Sequence, residues 1–125
     1  MAFIDDTCYD AALQEIKTNV TDLFICKTAE PTDWTSANAN KLGTKNAPTL
    51  GAIGNGASGR KFTVSAITTG GSVTVTDTAG WWALVDIAGT KLWAAGPLSA
   101  TQAVTSGNTF TLSAFDVNFT DATDV

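Results

Sequence analysis

The sequence predicts a mainly β protein: a single-domain antiparallel β-sandwich or barrel with one amino-terminal α-helix packed on it. Three observations carry that reading. Between Arg60 and Phe119, apolar and small polar residues alternate in short runs, and a period of two puts one set of side chains on each face of a strand. Gly, Thr, Ser, Asn and Asp separate the runs at the short intervals of a meandering all-β fold. Ahead of them stands a single stretch with helical spacing.

That stretch is residues 5–19. Tyr9, Ala12, Leu13, Ile16 and Val20 fall on one helical face, with Gln14, Glu15, Lys17 and Thr18 on the other. Asp6 or Thr7 is placed to cap it, because a short side-chain oxygen accepts hydrogen bonds from the free amides of a first turn. Thr7 with Asp10 comes close to a capping box. The apolar face is expected to pack on the protein's own sheet rather than on a partner. Leu23-Phe24-Ile25-Cys26 is too short for a second helix and reads as a buried strand, ended by Glu30-Pro31-Thr32.

Residues 31–58, rich in Asn, Gly and Ala, read as a long surface loop or arm with one short strand near 41–45. The β core follows over 60–119. Thr69-Gly70-Gly71 reads as a hairpin turn between the Phe62 and Val73 strands. Ala88-Gly89-Thr90 reads as a second, between the Trp82 and Leu92 strands. Gly96-Pro97 ends the Leu92 strand, and Thr105-Ser106-Gly107-Asn108 turns the chain into a last long strand with a bulge near Ser113-Ala114. Residues 120–125 form an acidic tail expected to fray.

Bulk composition excludes several function classes. The chain has 125 residues, 44% of them hydrophobic, enough for one domain with a real core. Only 15% are charged, against roughly 25% in an average domain. The net charge of −5 and the scattered basic residues argue against a nucleic-acid backbone as partner. No run approaches the roughly 20 apolar residues of a membrane helix, and no signal peptide is evident. The chain is therefore expected to fold in a cytoplasm, with Cys8 and Cys26 as reduced thiols.

The chemistry-bearing patterns are sparse. There is no His, which removes the commonest general base, the catalytic triads and most zinc sites. Gly54-Asn55-Gly56-Ala57-Ser58-Gly59 matches G-x-G-x-x-G, but a dinucleotide site needs a helix after the glycines, and residues 61–66 alternate as a strand. The phosphate-loop variant fails too, with Arg60 and Lys61 in place of Lys and a hydroxyl residue. A flexible Gly-rich loop is the better reading. Asp5, Asp6 and Asp10 suit a helix start, and Asp77, Asp86 and Asp116 suit strand ends. No catalytic, metal or cofactor-binding set is expected, and the chain does not read as an enzyme.

Four tryptophans stand out. Trp81 and Trp82 are neighbours on one strand and so face opposite ways. One belongs to the core, against the Tyr9–Leu13–Ile16 face, and the other to a subunit contact or a sugar platform. Trp34, Trp81, Trp82 and Trp93 are the candidate subunit interface.

Several segments carry a resemblance: Gly59-Arg60-Lys61-Phe62-Thr63-Val64, Gly80-Trp81-Trp82-Ala83-Leu84-Val85-Asp86, Gly96-Pro97-Leu98-Ser99, and residues 102–112, QAVTSGNTFTL. With Asp10-Ala11-Ala12-Leu13 and the stretch 23–32, LFICKTAEPT, they resemble small virion proteins encoded in the structural modules of tailed bacteriophages. The resemblance implies a structural virion protein, foremost a capsid decoration (cement) protein. Its partners would be the major capsid protein and further copies of itself, a trimer among the options, in a particle assembled in host cytoplasm. A tail or head–tail connector protein is the alternative within virions, and a carbohydrate-binding β module of a fibre is the alternative by chemistry.

Overall fold

The computed structural model describes residues 3–120. Helix α1 spans Asp6–Asn19. Its cap is Asp5, one residue ahead of the expected Asp6 or Thr7: the Asp5 carboxylate accepts the Thr7 amide at 2.8 Å. Asp10 is not part of a capping box. It is drawn off the helix by Arg60, whose Nε donates to Asp10 Oδ1 at 2.7 Å. Tyr9, Leu13 and Ile16 are buried, so the apolar face does cover the protein's own β core, and Tyr9 stacks on Phe119.

The strands form two antiparallel sheets. One takes the order β5 (Gly71–Val73), β2 (Lys41–Asn46), β1 (Asp22–Cys26), β6 (Asp77–Asp86), β7 (Lys91–Val104). The other takes the order β3 (Gly54–Asn55), β4 (Arg60–Val64), β8 (Phe115–Phe119). Register shows how they are joined. Gly43 faces Val73, Leu50 faces Val64 and Gly54 faces Lys61, so residues 41–55 and 60–73 are the two arms of one long bent hairpin. Its turn is the Gly-rich segment: Gly56 N–H bonds Gly59 O at 3.0 Å, and Gly59 takes φ 79°. Residues 107–119 then run antiparallel along 60–73, through Ser72–Thr109, Ile67–Leu112 and Phe62–Val117.

The molecule is thus a sandwich made from strands that pass from one sheet to the other, or equally a barrel in the order β7, β6, β1, 41–55, 60–73, 107–119. Closing it would pair β7 with residues 107–119. Among the described residues no backbone ladder does so.

Several expectations are corrected. Thr69-Gly70-Gly71 is not a hairpin turn. Gly70, at φ 78°, lets the chain turn the corner between sheets and continue, and β5 pairs with β2 rather than β4. Gly96-Pro97 does not end a strand either. Pro97 sits on the outermost strand of its sheet, where a missing N–H costs no central ladder bond. The segment 31–58 is not a bare loop: helix α2 (Trp34–Asn40) precedes β2, which does fall at the strand expected near 41–45. Residues 109–114 hold single bridges in place of the front half of a long strand. The turn at Ala88-Gly89-Thr90 stands as read, joining β6 to β7. The tail expected to fray lies, beyond Thr120, outside the described residues.

One main core lies between the sheets. Leu23, Ile25 and Leu84 enter from the larger, Phe62, Val64 and Val117 from the smaller, and Leu13 and Ile16 from α1. A second, smaller cluster lies on the other side of the larger sheet: Phe24, Cys26, Ala83 and Val85, capped by Ala37 of α2.

Candidate interaction site

The four tryptophans fall into two pairs. Alternation on β6 separates Trp81 from Trp82, and the ladder fixes their neighbours: Trp82 is opposite Ile25, Trp81 opposite Cys26. Trp82 is 8% exposed in the main core, its ring stacked on Phe115 with centroids 4.3 Å apart. Gly96 makes room for it, since a Cβ there would lie 2.6 Å from the indole. Trp81 packs on the outer cluster, half-buried, and its indole N–H reaches Thr28 O at 3.3 Å.

Trp34 joins Trp81 on that outer face. α2 begins there because Asp33 and Ser36 cap each other reciprocally: the Asp33 carboxylate accepts the Ser36 amide at 2.7 Å, and Ser36 Oγ accepts the Asp33 amide at 3.1 Å. The Ser36 amide holds the Asp33 carboxyl below its ordinary range. Trp34 leans on Phe24 at 6.0 Å, and Lys41 Nζ lies 4.9 Å over the same Phe24 ring. The Cys26 thiol points up at Ala37 O, 3.8 Å away, and burial pushes its pKa up to about 11 against the pull of Lys41. With Leu92 and Ala95, Trp34 and Trp81 leave a partly covered aromatic surface.

Trp93 joins Trp82. A bulge between Leu84–Ala94 and Val85–Leu92 turns Trp93 to the main-core side. Lys91 Nζ lies 4.7 Å over its ring, and its buried indole nitrogen has no acceptor among the described residues. Both tryptophans line the open side of the barrel. Two cavities lie end to end along it, of about 510 Å³ where residues 93–97 face 115–119 and about 400 Å³ where residues 97–102 face 111–115. Trp82, Pro97 and Phe115 border both, and Gln102 Nε2 spans the gap to Thr111 O at 3.1 Å.

Pairing at residue level missed this seam. Phe115 and residues 97–101 were not singled out by composition, and what opens the seam is a strand register that only the folded chain shows. Gly80 alone on β6 faces residues 98–101 on β7, so the second strand of the hairpin is much longer than the first.

Of the carboxylates, Asp116 borders the larger cavity. Asp116 accepts from Thr63 Oγ1 at 2.6 Å and Lys61 Nζ at 2.9 Å, and those bonds hold its carboxyl below the usual range. Cys8 is exposed and Cys26 buried, and neither is in a disulfide. Among the described residues no group of three or more His, Cys, Asp or Glu could share a metal ion, and no helix is long and apolar enough to cross a membrane. Comparison of the chain with protein-family models, with curated proteins and with solved structures finds no match to any of them.

Proposed function

We propose that this protein is a structural component of a tailed-bacteriophage virion, a decoration protein that seats on the assembled head shell and bridges its subunits. The observation that carries the reading is the outer face of the larger sheet. It holds Trp34, Trp81, Leu92 and Ala95 around a buried patch of Phe24, Cys26 and Val85, whose cover among the described residues is the seven-residue α2, those rim side chains and Lys41. Partly exposed aromatics around a desolvated centre have the anatomy of an association surface. The resemblance of residues 59–64, 80–86 and 102–112 to virion structural proteins supplies the setting. Many copies on a lattice turn a modest contact into firm attachment, so one face of this size suffices.

The test is co-sedimentation with preformed, expanded shells. The wild-type protein is expected to pellet with shells. Trp81→Ala is expected to remain folded and to bind at least about 2 kcal/mol more weakly, the usual loss at a central aromatic contact. Binding to tail tubes in place of shells would move the protein to the tail. A change in tryptophan fluorescence with added sugars, and none with shells, would replace the reading with that of a fibre carbohydrate module.

A further inference from the structure

We propose that the open seam between β7 and residues 111–119 is a strand-addition site, and that it receives the apolar segment around Phe3 and Ile4 of a second copy. The inference deepens the self-association within the virion reading, but it concerns a different surface from the Trp81 face.

The topology defines what is missing. Six strand segments alternate in direction around the barrel, and five of the six junctions are hydrogen-bonded ladders: β7–β6, β6–β1, β1 with 41–55, 41–55 with 60–73, and 60–73 with 107–119. At the sixth, β7 and residues 111–119 run past each other in opposite directions. Two cavities lie between them, and among the described residues the Gln102 side chain donates the one hydrogen bond across, to Thr111 O. Two strand edges that carry no ladder partner among the described residues, flanking a trough with an aromatic floor, are a template for an extended peptide, with backbone groups bonding the edges and alternate side chains entering the trough. Trp82, Phe115 and Ile16 give the trough an aromatic and aliphatic patch, with Asp116, Asn118 and Thr111 as polar groups along its border. Trp93 adds a specific demand. Its buried indole N–H has no acceptor among the described residues, and an incoming backbone carbonyl would supply one.

The occupant is chosen by what the chain leaves in water. Phe3 is 81% exposed and Ile4 46%. They precede the Asp5 cap outside any helix or strand, so two adjacent large apolar side chains are left exposed, Phe3 the more so. Asp5 and Asp6 follow them; Lys91 stands over the Trp93 ring as a cation near one end of the trough, and Asp116, which borders the trough, is already paired with Lys61. An arm and a groove at different places on one molecule make a head-to-tail contact, which closes into a ring of copies when the rotation allows.

The experiment uses the full chain without shells, so its outcome is independent of shell binding. Association is followed by sedimentation velocity over a concentration series, for wild type, Phe3→Asp and Leu98→Glu, the last placing a charge in the seam wall. A synthetic peptide of residues 1–6 is titrated against Phe3→Asp while Trp fluorescence is recorded. Phe3→Asp is expected to keep the wild-type melting curve, and Leu98→Glu to melt somewhat lower because Leu98 packs against the main core; at a temperature where both melting curves show a folded chain, both are expected to associate at least roughly tenfold more weakly. The peptide is expected to shift the Trp emission of Phe3→Asp and not of the Phe3→Asp, Leu98→Glu double variant. A wild-type chain that stays monomeric throughout overturns the proposal. So does association lost in Leu98→Glu but intact in Phe3→Asp, which would give the seam to another segment.

Discussion

The two faces of the larger sheet are both apolar, yet they are covered by different means. The inner face, with Leu23, Ile25, Trp82 and Leu84, lies under a second sheet and a 14-residue helix. The outer face, with Phe24, Cys26, Ala83 and Val85, lies under one short helix and the rims of Trp34 and Trp81. All five residues of β1 are buried as a result, so the strand that should show alternation most clearly shows none. A sheet with a single covered side alternates apolar and polar residues; a sheet apolar on both sides must be covered twice. Here the chain supplies one full cover and one partial one, and the partial one is where a partner adds most.

The largest expected effect sharpens that contrast. Trp82→Ala should cost about 3–5 kcal/mol, the range for emptying an aromatic site in a packed core. Trp81→Ala should cost less than half of that, since its ring is already part-solvated. Denaturant unfolding of the two variants measures both. Equal losses would mean that the faces are equally built into the fold, and the proposal of a docking surface on the outer one would fall.

A smaller effect probes the inner face through its backbone. Gly96→Val puts a branched side chain where a Cβ alone would meet the Trp82 ring at 2.6 Å, which should cost about 1–3 kcal/mol through overpacking. Gly54→Ala is the control. A Cβ there meets nothing within 4 Å, and its effect should stay within about 0.5 kcal/mol.

Where chemistry is local, this architecture was legible in the sequence. The period of two on β6 assigned Trp81 and Trp82 to opposite sides without stating which was which. Helical spacing placed Leu13 and Ile16 in the core, and Ala88-Gly89-Thr90 marked the β6–β7 turn. Where the outcome depends on a distant partner, it was not legible. Gly70-Gly71 marks a backbone that departs from an ordinary strand, but whether the chain reverses or turns a corner is decided by β2 and residues 107–110, far away in the sequence. The real hairpin turn was hidden in a motif that draws attention for phosphate binding. Helix α2 has the composition of a loop, WTSANAN, and exists because a cap at Asp33 and the Phe24–Cys26 patch beneath Ala37 hold it there. The pairing of Trp82 with Trp93 along a seam was out of reach for the same reason: it depends on a bulge and on a strand that leaves its partner.

The smallest expected effect concerns how firmly α2 closes the outer face. Cys26 is a built-in reporter, because it lies under α2 with its thiol aimed at Ala37 O, while Cys8 is exposed. A thiol pushed up to about 11 is almost wholly protonated at pH 8, so Cys26 should react far more slowly than Cys8 with a disulfide reagent. Removing the cap with Asp33→Ala should leave global unfolding nearly unchanged but speed Cys26 labelling severalfold, because a seven-residue helix depends heavily on its first turn. Acid should act in the same direction. The Asp33 carboxyl is held below its ordinary range by the Ser36 amide, so its support is complete above the unfolded-state value and fades as pH falls through the lower folded-state value. The Trp34 and Trp81 emission should therefore redden at acid pH before the chain unfolds, and that early change should be absent from Asp33→Ala. If Cys26 labels as fast as Cys8 in the wild type, α2 is no cover at all, and the outer face stands open to a partner without any helix to displace.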